Sequence, residues 1–258
     1  MPRVAVEDRG PVRILTLDNP AKRNALDFGS LAELSQACAD AARDGVHCLV
    51  IRGAGDQAFS AGFDLDAMDA GDGDRPDLAV ERAMEALEAV PCPTLAFLNG
   101  SAFGAGCELA VTCDLRVARA GVSLGMPPAR LGVVYAAAGL RRFLALVGPS
   151  RTREMFFTGR PVEAEVALGW GLVDRVEPAD RAEAEVMAIA KEIADNAPLA
   201  VQGMKRILRL LEASHERGLT EPERLEISDL RTRAFQSADL AEGRAAFAER
   251  RPPRFRGR

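Results

Sequence analysis

With 258 residues, of which 48% are hydrophobic and 28% charged, the chain has the composition of a globular protein, either one large domain or a core with a small appendage. The formal net charge of −5 argues against a general nucleic-acid-binding protein. The first ten residues lack the apolar core of a signal peptide and no run approaches the ~18 apolar residues of a membrane span, so we expect a cytoplasmic protein with no membrane association.

The N-terminal part begins with an alternating apolar and polar segment, 12–20, which predicts a strand that ends in a turn. A loop follows at 22–27, and Asp27 has the side chain of a helix N-cap. The helix that it opens is indicated by apolar residues at helical spacing, namely Phe28, Leu31, Leu34, Cys38 and Ala42. The next segment, 47–53, is apolar enough to predict a strand that is buried on both faces.

A loop with a permissive backbone is predicted next, at 53–68, because it contains Gly53, Gly55 and Gly62. Its last residues, 63–68, predict the start of a short helix. The acidic, glycine-rich run 69–76 predicts a solvated surface loop, and apolar residues within 81–90 predict a further helix.

The segment 99–114, NGSAFGAGCELAVTCD, follows an apolar strand at 94–98 and predicts a glycine-rich turn that leads into an apolar helix. The first N–H groups of a helix lack intrahelical partners and lie at the positive end of its dipole, so such a turn can stabilise negative charge. Glu108 lies just inside this helix, and a carboxylate beside an anion site is suited to catalysis. Tight helix packing explains the glycines equally simply, and the dinucleotide fingerprint fits poorly because its glycine spacing differs.

The C-terminal half begins with a predicted strand at 115–120. The segment 123–148 predicts a loop and then a helix, since two consecutive prolines, Pro127 and Pro128, forbid an earlier helix start. From residue 150 onwards the pattern is mostly helical, with one short strand, a basic tail, and helices predicted at 180–196, 199–212, 222–235 and 239–249. The tail is expected either to fray in solvent or to dock on a neighbouring subunit.

The cysteines and histidines predict neither a disulfide framework nor a metal centre. Five cysteines form no C-x-x-C pair, and their odd number fits reduced thiols in a cytoplasm. Only two histidines are present, so a histidine-based metal site is not expected. His47 lies at the start of a predicted strand, and we expect it to have a structural role.

Six motifs, in this order, together give the chain a resemblance to a known family: RNALD, AFSAGFDL, NGSAFGAGCELAVTCD, MPPARLG, LGWGLVDRV and FAERRPPRFRGR. They resemble the crotonase superfamily, the enoyl-CoA hydratases and isomerases. The resemblance implies an α/β fold with a spiral core of ββα turns at 1–195 and a helical oligomerisation part at 196–258. It also implies an acyl-CoA substrate of fatty acid metabolism, no cofactor beyond the coenzyme A of the substrate, and a homotrimer or a hexamer made of two trimers.

The resemblance further implies the parts of an active site. The backbone N–H groups of Phe63 and Ala105 would form an oxyanion hole for a thioester enolate, and Glu108 would be the catalytic acid and base. Lys205 is a candidate for contact with the phosphates of coenzyme A. The remaining residues expected to bind substrate are Arg23, Ala25, Ala61, Gly62, Asp64, Leu65, Gly104, Pro128, Leu131 and Tyr135.

One departure from the family pattern bears on the reaction. Hydratases of this family use two glutamates, and the second belongs at the position of Pro128, which cannot exchange a proton. The aspartate that other subfamilies place near Ala136 or Ala137 is missing too. The expected activity is therefore nominally enoyl-CoA hydratase, a lyase. An isomerase, another crotonase-type lyase or hydrolase, and a catalytically weak acyl-CoA-binding paralogue remain as alternatives.

Overall fold

The computed structural model describes residues 3–70, 75–214, 220–249, 251 and 253–258. The strands are β1 (Val4–Arg9), β2 (Val12–Leu17), β3 (Cys48–Gly53), β4 (Ala58–Ser60), β5 (Thr94–Leu98), β6 (Ser101–Phe103), β7 (Leu115–Arg119), β8 (Ser123–Gly125), β9 (Val162–Glu163) and β10 (Arg175–Glu177). The helices are α1 (Phe28–Arg43), α2 (Pro76–Glu88), α3 (Ala105–Thr112), α4 (Ala137–Thr158), α5 (Ala164–Trp170), α6 (Ala182–Ala194), α7 (Pro198–Ala213), α8 (Glu221–Phe235) and α9 (Ala238–Glu249). Short 3-10 helices cover Pro20–Lys22, Leu65–Ala70 and Pro128–Leu131. Residues 71–74 of the predicted acidic loop lie outside the described part.

The strands form two sheets. The larger has the order β1-β2-β3-β5-β7-β10, in which β1 and β2 are antiparallel and the other pairs are parallel. The smaller has the order β4-β6-β8-β9, parallel except for its last pair. Three times in succession the chain runs from the larger sheet to the smaller and then into a helix, as β3-β4-α2, β5-β6-α3 and β7-β8-α4. Because equivalent strands of successive turns pair, the chain is a spiral of ββα turns, and the predicted fold class is confirmed.

Both faces of the larger sheet are covered, as the apolar segment 47–53 predicts. Leu49 and Ile51 of β3 belong to the main core, together with buried residues of α1, α2 and α3. Cys48 and Val50 point to the opposite face and belong to a second cluster with α6. The ring of His47 contacts the carbonyl oxygen of Ala194 at 3.1 Å, so this histidine ties the sheet to the end of α6.

The start of α1 agrees with the sequence prediction, but one of its core positions does not. Asp27 is the N-cap: its side chain accepts the N–H of Ser30 at 2.8 Å, and the Ser30 hydroxyl accepts the N–H of Asp27 at 2.7 Å. Ala42, predicted on the apolar face, is exposed, and Ala41 is buried instead. Residues three and four positions after Cys38 both lie on the same face of the helix. Packing against α2, and not the spacing, therefore decides which of the two alanines is buried.

Strand β1 is absent from the sequence prediction. It is an edge strand that pairs with β2, and of its six residues only Val4 is buried. A strand with one buried residue gives little periodic apolar signal. Its existence depends on hydrogen bonding to β2, to which it is joined through Gly10 with a φ of 62°.

Two asparagines fix the loop between β3 and β4. Asn99 accepts the N–H of Gly53 at 2.9 Å and donates to the carbonyl oxygens of Gly53 and Gly55 at 2.9 and 2.7 Å. Asn24 donates to the carbonyl oxygen of Ala58 at 2.7 Å. Both asparagines are buried. The loop that leads to β4, and from there to Phe63, is therefore held by side chains that mimic backbone pairing.

The basic tail folds back onto the helix that precedes it. The backbone N–H groups of Arg256 and Gly257 donate to the carboxylate of Asp239 in α9, each at 2.7 Å. Asp239 is 3% exposed. The end of the tail is thus held within the chain, and its docking on a neighbouring subunit stays a prediction.

Within the described part of the chain, no helix is both long and apolar enough to cross a membrane. The five cysteines are buried free thiols. No cluster of three or more His, Cys, Asp and Glu side chains is placed to hold a metal ion among the residues that the structure describes.

Candidate active site

The candidate site is built around the start of α3. Strand β6 ends at Phe103, Gly104 follows with φ 52° and ψ −125°, and Ala105 is the first helical residue. All eight residues of α3 are buried. Since the first N–H groups of a helix have no intrahelical acceptor, the N–H of Ala105 is available to a ligand at this buried turn.

The loop after β4 lies directly against this turn. Gly62 has a φ of 95°, and a Cβ built on it would lie 2.7 Å from the carbonyl oxygen of Phe103 and 3.4 Å from the nitrogen of Ala105. Only glycine tolerates both this backbone conformation and this approach. The two glycine-rich loops, about 40 residues apart in the sequence, therefore lie against each other.

Phe63 forms an isolated parallel bridge with Leu26. The N–H of Leu26 donates to the carbonyl oxygen of Gly62 at 2.8 Å, and the N–H of Asp64 donates to that of Leu26 at 2.7 Å. In such a parallel bridge Leu26 bonds to the residues on either side of Phe63, and the N–H of Phe63 itself is directed to the opposite side of the strand. The N–H of Phe63 thus points away from Leu26, while its ring packs edge-on against Phe28 at 5.3 Å between centroids.

Glu108 lies one turn into α3 and is only 3% exposed. Its Oε2 accepts the hydroxyl of Tyr135 at 2.5 Å, and its Oε1 accepts Nη1 of Arg142 at 2.9 Å. Burial raises the pKa of Glu108 above its usual value, while the hydroxyl of Tyr135 and the charge of Arg142 act in the opposite direction. The hydrogen bonds from Tyr135 and Arg142 replace the water that the Glu108 carboxylate loses on burial.

Arg142 joins two carboxylates of different helices. Its side chain is 8% exposed, and its Nε donates to Glu88 at the end of α2 at 2.7 Å while Nη1 holds Glu108. Sequence reasoning identified neither Arg142 nor Glu88 as part of the site. No spacing rule connects residues 88, 108 and 142. The sequence feature that could have pointed to this cluster is the arginine in an otherwise apolar helical segment.

The contact between α3 and α4 depends on Gly139. A Cβ at this position would lie 2.6 Å from the ring of Tyr135 and 2.8 Å from Oε1 of Glu108. The absence of a side chain therefore allows the tyrosine and the glutamate to approach each other above the first turn of α4. The ring of Tyr135 also packs edge-on against Phe156 at 5.4 Å between centroids.

The other residues expected to bind substrate are spread along the same loops. Ala61 donates its N–H to the carbonyl oxygen of Arg23 at 3.0 Å, which joins the loop after β4 to the loop before α1. Ala25 lines a small cavity beside that loop. Asp64 is engaged by Lys22 at 2.7 Å. Leu65 and Leu131 are exposed, whereas Pro128 is buried at the start of its 3-10 helix.

Lys205 is placed differently from the expectation that it contacts phosphates. It is buried at 8% exposure, forms an ion pair of 2.6 Å with Asp114, and donates to the carbonyl oxygen of Cys92 at 2.7 Å. Asp114 in turn accepts the N–H and the hydroxyl of Thr94. This lysine anchors α7 to the ends of two loops, and the prediction was wrong because sequence alone does not show which basic residue of a helix is buried.

Gly106 gives a test of how tightly the two loops pack. A Cβ there would lie 2.5 Å from the Cβ of Ser60 and 2.7 Å from its carbonyl oxygen. We expect Gly106→Ala to lower the free energy of unfolding by about 1–3 kcal/mol, because β4 must move to admit the methyl group. Chemical denaturation measures this change. Gly169→Ala in α5, where a Cβ would meet no atom within 4 Å, is the matched control and should raise stability by about 0.5–1 kcal/mol; equal stability of the two variants would contradict the close approach at Gly106.

Comparison with known proteins assigns the chain to a family. The family model for enoyl-CoA hydratase/isomerase matches residues 7–258. The chain belongs to this family, the crotonase superfamily.

The relatives of this enoyl-CoA hydratase/isomerase family member match it over nearly the whole length of the chain. A probable enoyl-CoA hydratase of Mycobacterium tuberculosis is 35% identical over 98% of this chain and 99% of its own. A carnitinyl-CoA dehydratase of Proteus mirabilis is also 35% identical, over 97% of each chain. The crystal structure of an enoyl-CoA hydratase/carnithine racemase from Magnetospirillum magneticum superposes with a TM-score of 0.92 and 31% identity, over 100% of this chain and 97% of that one.

Proposed function

We propose that this protein acts on acyl-CoA thioesters and hydrates 2-enoyl-CoA to 3-hydroxyacyl-CoA. The observation that carries the proposal is the approach of Gly62 to the nitrogen of Ala105, which brings the loop of Phe63 to the start of α3, with Glu108 one helical turn away. Water addition next to a thioester builds negative charge on the carbonyl oxygen. Two fixed N–H donors would stabilise that charge, and donors of this kind typically contribute about 10²–10³ each in rate.

Glu108 serves as the acid and base of this reaction. In its ionised form it accepts a proton from the water that attacks C3. The two donors on its carboxylate favour that ionised form despite burial. The family relationship and the names of the relatives support the substrate class, since the dehydration named for one relative is hydration read in reverse.

An alternative within the same site is double-bond isomerisation. The observation that favours it is Pro128, which leaves one glutamate where hydratases of the family use two. A single carboxylate can carry one proton between C2 and C4 without any added water. Binding of acyl-CoA without turnover is a further alternative, and it rests on the same substitution.

Three assays on the purified protein separate these alternatives. Loss of the enoyl absorbance of crotonyl-CoA reports hydration. Conversion of a 3-enoyl-CoA to the conjugated 2-enoyl-CoA reports isomerisation. Coenzyme A binding with turnover of neither substrate would leave only the binding alternative and would reject the proposed activity.

The environment of Glu108 predicts a pH dependence. Activity requires the ionised carboxylate, whose pKa is raised by burial and held down by Arg142, so activity should fall as the pH is lowered through this pKa. Arg142→Gln removes the cation, raises the pKa of Glu108 further, and should move the acidic limb of kcat/KM to higher pH. Arg141→Gln, at the exposed neighbouring arginine, is the matched control. An acidic limb that stays in place in Arg142→Gln would show that Glu108 is not the titrating base.

A further inference from the structure

The proposed hydration needs two proton transfers, one from the attacking water and one to C2 of the enolate. Glu108 accounts for the first. The second glutamate of the family pattern is replaced by Pro128, whose ring nitrogen has neither a proton nor a basic lone pair in the chain. If the proposed function is correct, the proton for C2 comes either from Glu108, once it has accepted the first proton, or from a group beside it.

The candidate proton donors at or near the site are unequal in this respect. Arg142 keeps its proton at any physiological pH and is held by Glu88 as well. The thiol of Cys107 is fully buried in the main core, and adjacent residues of a helix do not face each other. Asp64 and Asp66 are both engaged by Lys22. Tyr135 remains, with an O–H that already points at Oε2 of Glu108 from 2.5 Å.

The direction of this hydrogen bond gives each partner the protonation state that hydration needs. The hydroxyl donates and the carboxylate accepts, and Arg142 holds the same carboxylate, so these contacts favour an ionised base beside a protonated acid before substrate binds. A hydroxyl within 2.5 Å of Oε2 is also near any atom that Glu108 itself serves. The ring packs edge-on against Phe156 and lies so close to Gly139 that a Cβ there would be 2.6 Å from it, so little ordering is required during the reaction.

We propose that Tyr135 is the second catalytic residue, whose hydroxyl delivers the proton to C2 and recovers it from Glu108. The two side chains thereby perform the work of two glutamates with one carboxylate and one phenol.

The protons and electron pairs of this relay balance. The oxygen of water bonds to C3, the π electrons move onto the thioester oxygen, and the released proton passes to Glu108. The enolate electrons then form the C2–H bond with the proton of Tyr135. The phenolate takes the proton of the Glu108 carboxyl group across their hydrogen bond, which restores the starting state.

The test removes the hydroxyl and keeps the ring, in Tyr135→Phe. Two readouts are used: hydration of crotonyl-CoA, and exchange of the C2 hydrogens of butyryl-CoA with deuterium from solvent, followed by mass spectrometry. The second needs proton transfer at C2 but no water addition. We expect both rates to fall about 10²–10⁴-fold, the contribution typical of a general acid, while the affinity for coenzyme A stays within about twofold.

The matched control deletes another buried hydroxyl beside the same glutamate. Thr112 donates its hydroxyl to the backbone carbonyl oxygen of Glu108 at 2.8 Å. Thr112→Val keeps the shape of the side chain, and we expect both rates to remain within about twofold of the unaltered protein. A comparable loss in Thr112→Val and Tyr135→Phe would assign the effect to packing and overturn the proposal.

A second measurement uses the fact that the chain contains one tyrosine. Growth on 2,3,5-trifluorotyrosine therefore changes Tyr135 alone and makes its hydroxyl more acidic with little change of shape. If the hydroxyl must be protonated to act, the basic limb of the rate profile moves to lower pH. An unchanged basic limb overturns the proposal, because the acidity of a purely structural hydroxyl would not determine the pH at which the rate falls.

The outcomes separate this inference from the proposed function. Hydration by Tyr135→Phe at the wild-type rate overturns the role of Tyr135 and leaves the proposed function standing. Exchange at C2 without hydration in the wild type rejects the hydratase activity, while the dependence of that exchange on Tyr135 still decides the inference. Absence of both reactions in the wild type rejects both.

Discussion

Glu108→Gln is expected to lower kcat for hydration by about 10²–10⁴-fold, the range for loss of a general acid or base. The amide has nearly the shape of the carboxylate but cannot accept a proton from water. It can still accept Nη1 of Arg142 through its oxygen, and Arg142 retains its ion pair with Glu88. Substrate binding should therefore change much less than kcat. Steady-state kinetics with crotonyl-CoA measure both.

The matched control for this variant is Glu85→Gln, an exposed glutamate on α2. It changes the net charge by the same amount without touching Glu108, and it should leave kcat within about twofold. Unchanged turnover in Glu108→Gln would remove this residue from the mechanism. Loss of thermal stability that parallels the loss of turnover would indicate that the carboxylate is structural.

Ala105→Pro is expected to lower kcat by about 10²–10³-fold by deleting one donor of the proposed oxyanion hole. Ala105 is the first residue of α3, where proline fits well because the missing N–H has no intrahelical acceptor. The preceding residue is glycine with a ψ of −125°, so the usual restriction before proline is relaxed. The variant thus replaces the N–H hydrogen with the ring methylene Cδ without breaking the helix, and kcat/KM should fall by at least the contribution of the lost donor.

Ala105→Gly is the control, because it keeps the N–H and removes only the methyl group. Its kcat should stay within about threefold of the unaltered protein, the expectation for a donor that belongs to the main chain. Circular dichroism and thermal unfolding establish that both variants fold. Equal activity of Ala105→Pro and Ala105→Gly would show that this N–H does not contact the developing charge.

Predictions from short sequence patterns were reliable where the local structure depends on residues that are neighbours in the chain. The strand predicted at 94–98 coincides with β5, since a short apolar run between prolines and a glycine turn has few other solutions. Asp27 caps α1 as its side chain suggests. The two loops of the candidate site were likewise visible, because glycine is needed where the backbone of Gly62 has a positive φ and approaches Ala105.

Non-local partners were not predictable in the same way. The pairing of Glu108 with Arg142 and Glu88 joins three helices, and no periodicity relates their positions. Lys205 was expected to reach a phosphate and instead pairs with Asp114, at the end of a loop about 90 residues away in the chain. Strand β1 was missed because its stability comes from hydrogen bonds to β2 rather than from burial.

The sequence by itself determined the six family motifs and the two glycine-rich loops, because these depend on residue types at fixed spacing along the chain, whereas the ββα succession followed only from the resemblance to the family. Only the tertiary structure decided that Tyr135 and Arg142 share the carboxylate of Glu108. The physical reason is that the ionisation of a buried acid depends on the donors that surround it in space. Those donors come from a segment that packs against α3 only after the spiral has closed.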